Sequence, residues 1–262
     1  MDSDKIEHTF VIVAYKESKY LEACIQSVIN QTVKGNVLIA TSTPNGFIQA
    51  LAAKYGIEIS VNNNGGSIGK DWNFAYSCAN TKYVVLAHQD DIYLPRYAEL
   101  FLKSATKNSS TRPLMIFNKS IVYKDEKELS VSYKNILRWL LVFPFHFKRC
   151  IVSNAIKKSI LLFSNSISCP GIMYVKDNLG NFSFDEQSGY ILDWKAWYDM
   201  SQMQGSFIYQ PEALHIHREH EDSATSTTQV SNLQQEEFEL LSAIWGNKFI
   251  AKIITRLLLA AK

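Results

Sequence analysis

The sequence predicts an α/β fold in which a mixed, mainly parallel sheet is sandwiched by helices. In the first half of the chain, apolar β-prone runs alternate with amphipathic segments of helical period. The connections between them are short, and right-handed crossovers of this kind build a parallel sheet covered by helices. At 262 residues the chain has the length for one large catalytic domain with a C-terminal helical extension.

The elements of the first half follow in strict alternation. The segment 18–31 places Leu21, Ile25 and Val28 on one apolar face, and Ser18 is its expected N-cap. Strands are expected at 8–14, 37–41, 57–61 and 83–88, and helices at 18–31, 45–55 and 69–80. Past Pro95, a helix to about residue 107 and a strand at 114–123 are expected before the regular pattern weakens.

Composition and charge exclude several classes of protein. The formal net charge of +2 is too small for nucleic acid to be a bulk electrostatic partner. The four cysteines are scattered without a Cys-x-x-Cys pair, which favours free thiols in a reducing compartment over a zinc site. The N-terminus is acidic and lacks a long apolar segment. We therefore predict a cytoplasmic protein that does not bind nucleic acid.

The strand at 83–88 leads directly into two adjacent carboxylates, Asp90 and Asp91. The carboxyl ends of strands are where open α/β sheets bind ligands. Carboxylate oxygens at such a place suit Mg²⁺ or Mn²⁺ that carries a substrate diphosphate. The alternative is that the two residues cap the helix that begins at Pro95.

The segment 248–262 predicts a basic amphipathic helix. Lys248, Lys252 and Arg256 are spaced four apart, while apolar side chains fill the other side. Helices of this type lie in the interface of a membrane with anionic lipids. The alternative is a terminal helix that packs on the domain or on a second subunit in a homodimer. The segment is too short to span a bilayer.

Four segments, taken in order, resemble the family 2 glycosyltransferases with the GT-A (Rossmann-like) fold. They are VIVAYKES at 11–18, NNNGGSIGKDWNFAYSCA at 62–79, HQDD at 88–91 and HIHREH at 215–220. The resemblance covers about residues 8–220. It implies an inverting transferase that moves a sugar from a nucleotide diphosphate, most often UDP, to a glycan acceptor. The bacterial surface-polysaccharide type is implied, with a lipid-linked acceptor for capsule or O-antigen.

The resemblance divides the chain and assigns its nucleotide side. Residues 1–230 form the catalytic domain, with a nucleotide-sugar half at about 1–110 and an acceptor half at about 111–230, and residues 231–262 form the C-terminal helices. The residues expected to bind the nucleotide sugar are Ala14, Tyr15, Glu17, Thr41, Ser42, Asn73, Gln89, Asp90 and Arg218. Thr41 and Ser42 stand where the family often has an acidic residue that reads the uracil N–H. A hydroxyl accepts that bond more weakly. Trp72 replaces the arginine that precedes Asn73 in the family.

The resemblance also assigns a metal site for Mn²⁺ or Mg²⁺. Asp90 is the first ligand and Asp91 a second ligand or a sugar contact. His88 occupies the place of the family's first aspartate, where a neutral imidazole can ligate Mn²⁺. Arg218 and His220 are expected to reach the diphosphate and the metal. The glycines near residue 66 allow close backbone approach, which either faces amides toward a phosphate or forms a tight turn before a helix.

The catalytic base implied by the resemblance is Asp193. Inversion requires a carboxylate that takes the proton of the acceptor hydroxyl. The segment 184–201 is similar to the family's stretch that supplies it at the start of a helix, and Asp185 and Glu186 are the fallback candidates. The alternative for Asp193 is a helix N-cap beside Trp194.

Two other functions remain open from the sequence. A sugar nucleotidyltransferase shares the α/β sheet and the acidic metal site, but it usually has a Gly-rich basic loop after the first strand, where this chain has AYKESKY. A catalytically weakened scaffold that binds nucleotide sugar is consistent with His88, Thr41 and Trp72. The Ser/Thr-rich segment 223–231 is predicted to be a loop or a lid.

Overall fold

The computed structural model describes residues 7–124, 127–128, 133–189, 191–220 and 230–260. Their strands are β1 (His8–Ala14), β2 (Asn36–Thr41), β3 (Glu58–Val61), β4 (Tyr83–His88), β5 (Ile92–Tyr93), β6 (Pro113–Lys124), β7 (Lys127–Glu128), β8 (Cys150–Ile151), β9 (Ile172–Val175) and β10 (Ser206–Glu219). Their α-helices are α1 (Leu21–Ile29), α2 (Gly46–Tyr55), α3 (Ile68–Cys78), α4 (Tyr97–Lys107), α5 (Tyr133–Leu141), α6 (Pro144–Phe147), α7 (Asn154–Ser159), α8 (Lys176–Leu179), α9 (Leu192–Gln202), α10 (Val230–Trp245) and α11 (Lys248–Ala260).

The described strands form one mixed sheet in the order β3-β2-β1-β4-β9-β6-β10-β5, with β7 on β6 and β8 on β10. The long pairings among β1, β2, β3 and β4, and between β6 and β10, are parallel. The short pairings of β5, β7, β8 and β9 are antiparallel. The predicted fold class, a mainly parallel sheet between helices, is confirmed.

Two predicted caps are wrong. Helix α1 begins at Leu21 after Tyr20, and no side chain caps it; the Ser18 hydroxyl instead accepts from the backbone N–H of Tyr20. Helix α4 begins at Tyr97 after Arg96, also without a side-chain cap. Because α4 begins well beyond the acidic pair, the alternative that Asp90 and Asp91 cap the helix at Pro95 is wrong.

The core lies in two layers, one on each face of the sheet. Successive residues of β1 point to opposite faces, so Phe10 and Ile12 pack against α1, α2 and α4, while Val11 packs toward α3 and α9. Both layers are apolar because β1 and β4 are central strands covered on both sides. This arrangement fixes the ends of β1 and β4 side by side.

The C-terminal helices join the second of these layers. Ala251 and Ile254 of α11 are buried in the cluster that also contains Trp197 of α9. Glu236 of α10 accepts hydrogen bonds from the backbone N–H groups of Gly189 and Ile191. Part of α11 therefore packs on the domain, as one of the two interpretations of this helix requires. The separation of residues 231–262 from the catalytic domain stays a prediction.

Among the described helices, none combines the length and the apolarity that crossing a bilayer requires. Most of the Ser/Thr-rich segment for which a loop or lid was predicted, residues 223–229, lies outside the described residues. The four cysteines are free thiols, as expected; Cys24 and Cys169 are buried.

Candidate active site

The acidic pair meets the HIHREH segment through the register of two strands. After β4 the chain passes Asp90 and Asp91 and forms β5, which pairs antiparallel with β10 at the edge of the sheet. Tyr93 lies opposite His215, so the same register continued toward the acidic pair places Asp91 opposite His217. The carboxyl ends of β1, β4 and β10 thereby form one edge.

Asp91 is fully buried and bound by β10. Its carboxylate accepts a hydrogen bond from Nδ1 of His217 at 3.1 Å and another from the backbone N–H of Arg218 at 3.0 Å. Burial by itself raises the pKa of Asp91, but the charge and hydrogen bond of His217 outweigh it and hold that pKa below its ordinary value. Burial by itself lowers the pKa of His217, but the charge and hydrogen bond of Asp91 outweigh burial and raise that pKa above its ordinary value. The two groups form an ion pair that ties the acidic turn to β10.

Asp90 is the more accessible member of the acidic pair. Its Oδ2 lies 3.0 Å from Nε2 of His220, and its backbone carbonyl accepts from Nη1 of Arg218 at 3.1 Å. The Tyr20 ring lies 4.9 Å from the Arg218 guanidinium and 5.0 Å from the His220 ring. Sequence reasoning missed Tyr20, because an aromatic residue before a helix carries no signal for its neighbours 200 residues away.

Three of the four residues assigned to a metal lie close together. A ring nitrogen of His88 and carboxylate oxygens of Asp90 and Asp91 lie within 4.8 Å of one another. Nε2 of His88 is buried without a hydrogen-bond partner among the described residues. The fourth assigned residue, His220, is held beside this group because its Nε2 lies at hydrogen-bond distance, 3.0 Å, from Oδ2 of Asp90. Imidazole beside carboxylate favours Mn²⁺ over Mg²⁺, which prefers oxygen ligands.

Two of the three departures from the family pattern, Trp72 and His88, contact each other. The ring of Trp72 lies 5.0 Å from the ring of His88 and meets Phe184 edge to face at 5.1 Å. The side-chain amide of Asn73 binds the backbone of the same loop. Its Nδ2 donates to the carbonyl of Phe184 at 2.9 Å, and its Oδ1 accepts from the N–H of Phe184 at 2.7 Å. Asn73 therefore holds the segment that precedes the predicted base.

The end of β1 lies beside the acidic turn. Tyr15 and Gln89 exchange two hydrogen bonds, since the Tyr15 N–H donates to Oε1 of Gln89 and Nε2 of Gln89 donates to the Tyr15 carbonyl, both at 3.0 Å. The methyl group of Ala14 is buried in the core, which leaves only its backbone for a ligand. Tyr15 and Glu17 are exposed. The nucleotide roles of these residues stay predictions.

The residues that follow β2 and β3 bind a carboxylate that sequence reasoning missed. The Ser42 hydroxyl donates to Oδ2 of Asp71 at 2.7 Å, and Nδ2 of Asn62 donates to Oδ1 of the same side chain at 2.8 Å. Thr41 is buried, and its hydroxyl accepts from the N–H of Thr43. Because Ser42 has given its only hydrogen to Asp71, its lone pairs are left to accept from a ligand.

Two of the glycines near residue 66 lie so close to other protein atoms that a side chain would not fit. A Cβ on Gly65 would collide with the side chain of Ser42, and one on Gly69 would lie 2.5 Å from the carbonyl oxygen of Asp185. Gly66 has a φ of +122°, where glycine is favoured. The loop is therefore a compact connection to α3, whose N-cap is Ser67.

Asp193 lies in the first turn of α9, whose N-cap is Ile191, so the alternative that Asp193 is the N-cap is wrong. Its Oδ2 accepts from Nδ2 of Asn165 at 2.6 Å, and its Oδ1 accepts from the N–H of Trp194 at 2.7 Å. Burial raises the pKa of the Asp193 carboxyl, against these two hydrogen bonds and the charges of Arg138 and His88.

Asp185, one of the two fallback candidates for the base, and the two tryptophans of α9 have other partners. Asp185 forms an ion pair with Lys195 at 2.9 Å, and its hydrogen bonds, first that from Gln187, lower its pKa to about 2. Trp194 and Trp197 are buried, and Nε1 of Trp194 donates to the Leu161 carbonyl. A carboxyl with so low a pKa is a weak base, which favours Asp193.

Comparison with known proteins agrees with the fold. Residues 9–151, more than half of the chain, match the family described as Glycosyl transferase family 2. The chain belongs to this family. A protein of Haemophilus influenzae described as an uncharacterized glycosyltransferase is 24% identical over 238 residues, which cover 87% of this chain and 69% of that protein.

Two solved structures of another protein have a similar fold. Residues 1–349 of S. aureus TarS in complex with UDP-GlcNAc superpose with a TM-score of 0.66 at 16% identity, covering 97% of this chain and 72% of that one. The same part of TarS in complex with UDP gives a TM-score of 0.61 at 14% identity, covering 95% and 69%. At this identity the likeness concerns the fold, and it confirms the GT-A architecture.

Proposed function

We propose that this family 2 glycosyltransferase moves a sugar from a UDP-sugar to a hydroxyl group of a glycan, with inversion and with Mn²⁺ or Mg²⁺. The observation that carries the proposal is the position of Asp90, which lies accessible between His88 and His220 at the carboxyl edge of the sheet. A nucleotidyltransferase is disfavoured by the family to which the chain belongs.

The nucleoside end of the donor is assigned to the cleft between the ends of β1 and β2. Ser42, with its hydrogen on Asp71, accepts the N–H of a uracil ring. The adjacent Tyr15 is exposed and offers a ring face for the base. TarS, whose fold is similar, has been solved with UDP-GlcNAc and with UDP, which supports a uridine donor.

The diphosphate is assigned to the corner formed by Asp90, Arg218 and His220. His88, Asp90, Asp91 and His220 are the residues that would hold the cation. A bound divalent ion supplies positive charge that stabilises the departing diphosphate. Arg218, kept in place by the Asp90 carbonyl and the Tyr20 ring, adds a fixed positive charge on the same side.

Asp193 is assigned as the base for the acceptor. Its carboxylate takes the proton of the acceptor hydroxyl while that oxygen forms a bond to C1 of the donor sugar. The bond from C1 to the diphosphate oxygen breaks on the opposite face, and UDP leaves with the electron pair. Asn165 and the Trp194 N–H fix the carboxylate for this step, and its raised pKa strengthens it as a base.

The acceptor is a lipid-linked glycan of surface-polysaccharide synthesis, such as capsule or O-antigen, at the cytoplasmic face of the membrane. Helix α11 supports this part of the proposal because Phe249, Ile253 and Leu257 form an exposed apolar stripe beside Lys252 and Arg256. An apolar stripe flanked by cations suits an anionic membrane surface. Contact with a second copy of the chain is the competing use of this stripe.

Thermal unfolding tests the donor site. UDP and Mn²⁺ together are expected to raise the Tm, and more than either alone, because a ligand that binds only the folded state stabilises it by about 2.7 kcal/mol at 100 times its Kd. Asp90→Ala is expected to abolish the effect of Mn²⁺. Asp177→Ala, which removes an exposed carboxylate of α8, is the matched control and should keep it.

The base is tested with the same protein. Asp193→Asn is expected to lower sugar transfer or donor hydrolysis by about 10²- to 10⁴-fold with the UDP and Mn²⁺ shift retained. Asp199→Asn, on the same helix, is the control. Activity unchanged in Asp193→Asn would remove Asp193 as the base. If neither Asp90→Ala nor Asp193→Asn changed the measured activity, the scaffold function would be favoured instead.

A further inference from the structure

An exposed apolar surface runs along α5 and α6. Its residues recur at the spacing of one helical face, and they are Ile136, Trp139, Leu140, Phe143 and Phe147, here called the aromatic surface. Trp139 is 47% exposed and Phe147 is 78% exposed. Contiguous exposed apolar patches mark sites of interaction with another molecule.

The aromatic rings of this surface contact one another. The Phe143 ring meets the Phe147 ring edge to face at 5.0 Å and lies 6.3 Å from the Trp139 ring. The ring of His146 lies 5.4 Å from that of Trp139. The exposed rings therefore form one continuous patch, and they are not scattered single residues.

The opposite side of the same segment packs on the domain. Val142 and Phe145 are buried, and the Phe145 ring meets Phe117 of β6 edge to face at 5.1 Å. These two inward side chains attach the segment to the sheet. The aromatic surface is therefore fixed in place and still exposed.

The charge around the aromatic surface has one sign. Between Glu128 and Asp177 the sequence contains no acidic residue. The basic residues of that stretch are Lys134, Arg138, Lys148, Arg149, Lys157, Lys158 and Lys176. Lys148 and Arg149 directly follow Phe147 and are exposed. Exposed aromatic rings beside exposed cations are the composition of a surface that binds anionic lipid.

This charge favours a bilayer over a second copy of the chain. Two copies that met through the aromatic surface would bring two cationic segments together with no acid in either segment to offset them. An anionic bilayer attracts Lys148 and Arg149, and its interface accommodates the ring of Trp139.

The aromatic surface and α11 belong to elements on the same face of the sheet. Val142 and Phe145 pack into the core layer that also buries Ala251 and Ile254 of α11. The exposed stripe of α11 is likewise apolar and cationic. Two surfaces of the same chemistry on one side of the sheet suit a bilayer, because it is a single extended partner.

Helix α5 also lies near the predicted base. Burial raises the pKa of Asp193, and the charge of Arg138 on α5 is among the effects that lower it. Arg138 directly precedes Trp139 in the sequence. A bilayer in contact with Trp139 would therefore lie on the side of the molecule from which an acceptor reaches Asp193.

We propose that the aromatic surface inserts into the interface of an anionic membrane, with Trp139, Phe143 and Phe147 at the boundary of headgroups and acyl chains and with Lys148 and Arg149 against the anionic headgroups. The proposal deepens the proposed function and rests on it for its purpose, which is to bring a lipid-linked acceptor to the base. The contact with lipid itself requires neither donor nor acceptor.

Tryptophan fluorescence measures this contact directly. Of the five tryptophans, only Trp139 is exposed. Vesicles of phosphatidylglycerol mixed with phosphatidylcholine brominated on its acyl chains should quench the fluorescence, because bromine quenches only at close range. Trp139→Phe keeps an aromatic ring, so this variant should still bind the vesicles and should lose most of the quenching.

Variants locate the binding on the aromatic surface. Phe143→Ser combined with Phe147→Ser should weaken binding to phosphatidylglycerol vesicles at least tenfold. Val33→Ser combined with Val61→Ser removes two exposed apolar side chains outside this surface and should leave the binding unchanged. Both double variants should unfold cooperatively near the Tm of the unaltered protein, which shows that they are folded.

The cations are tested by lipid composition. Lys148→Gln combined with Arg149→Gln should reduce the preference for phosphatidylglycerol over phosphatidylcholine vesicles, and salt should have less effect on its binding than on that of the unaltered protein.

The outcomes separate this proposal from the proposed function. Equal quenching in Trp139→Phe, or unchanged vesicle binding in the Phe143 and Phe147 variant, overturns the lipid contact and leaves the donor site standing. Loss of self-association in that variant, with vesicle binding unchanged, overturns it in favour of a second copy. Absence of the Tm increase with UDP and Mn²⁺ in the unaltered protein overturns the proposed function, while quenching that depends on Trp139 would still support the lipid contact.

Discussion

Asp193 is a carboxylate whose neighbours set its strength as a base. Burial raises its pKa, and the hydrogen bonds from Trp194 and Asn165 act in the opposite direction. Transfer that depends on ionised Asp193 must therefore decline as the pH falls through its raised pKa. Asn165 is a positioning residue, because it touches the base and not the reacting atoms.

The Asn165 hydrogen bond is tested by the pH profile of kcat/KM. Asn165→Ala removes a bond to a charged acceptor, which contributes about 1.5–3 kcal/mol, so the acidic limb should move upward by about one to two pH units. Asn165→Asp adds a negative charge beside Asp193 and should move the acidic limb further. An unchanged limb in Asn165→Ala would show that another group controls the profile.

Residues at two of the departures from the family pattern also contact one another. Trp72 and His88 are 16 positions apart in the sequence and lie in different elements, yet their rings are 5.0 Å apart. The two rings are tilted by 43° to each other, and Nε2 of His88 has no hydrogen-bond partner among the described residues. The replacements therefore form one altered contact, which reasoning on each position separately could not detect.

At the level of elements, the first strand links folding to pH. His8 begins β1, is buried, packs edge to face on Phe10, and has its pKa lowered by burial to about 4. The unfolded chain takes up a proton near the ordinary histidine pKa of about 6.5, while the folded chain does so only near pH 4. The contribution of His8 to the free energy of unfolding is therefore complete above pH 6.5, and it is lost as the pH falls from 6.5 to about 4.

Chemical denaturation checks this linkage. Between pH 7.5 and 4.5, His8 should remove about 2.5 kcal/mol from the free energy of unfolding. His8→Leu should reduce the pH-dependent loss by that amount, whatever its effect on stability at pH 7.5. The same pH dependence in both proteins would contradict the buried neutral state of His8.

The acidic turn shows how an element fixes a site. Residues 90–91 follow a core strand, but their partners come from β10, across the sheet. β5 supplies the connection because it pairs with β10 at the edge. The ion pair of Asp91 with His217 then holds the turn so that Asp90 faces the ligand side.

Across the whole molecule, α11 has two apolar sides. Ala251 and Ile254 pack into the core, while Phe249 and Leu257 are 73% and 65% exposed on the opposite side. An ordinary terminal helix requires only the first side. The second is the surface assigned to the membrane.

Vesicle co-sedimentation tests that surface. The protein should bind vesicles that contain phosphatidylglycerol more tightly than phosphatidylcholine vesicles, and salt should weaken the binding. Phe249→Ser combined with Leu257→Ser should reduce the affinity at least tenfold, which corresponds to about 1.4 kcal/mol. Ile156→Ser, an exposed apolar residue of α7, is the control. A double variant that loses self-association instead, with vesicle binding unchanged, would assign the stripe to a homodimer.

The sequence by itself determined the nucleotide half of the fold. Apolar strands in regular alternation with amphipathic helices predicted β1 and β4 at their observed bounds and the parallel pairing around them. It also determined the family, because the strand ends carry polar residues in a fixed order. These features are local, since strand and helix periodicity and the residue types at strand ends are legible in short windows.

The tertiary structure alone decided which groups meet. The contacts of Asp71 with Ser42, Tyr20 with Arg218 and Asn165 with Asp193 join segments that are far apart in the chain. These contacts follow from the register of β5 on β10 and from how α3 and α9 pack on the sheet. No short window of sequence contains this information, because the side chain that completes each pair lies on another element.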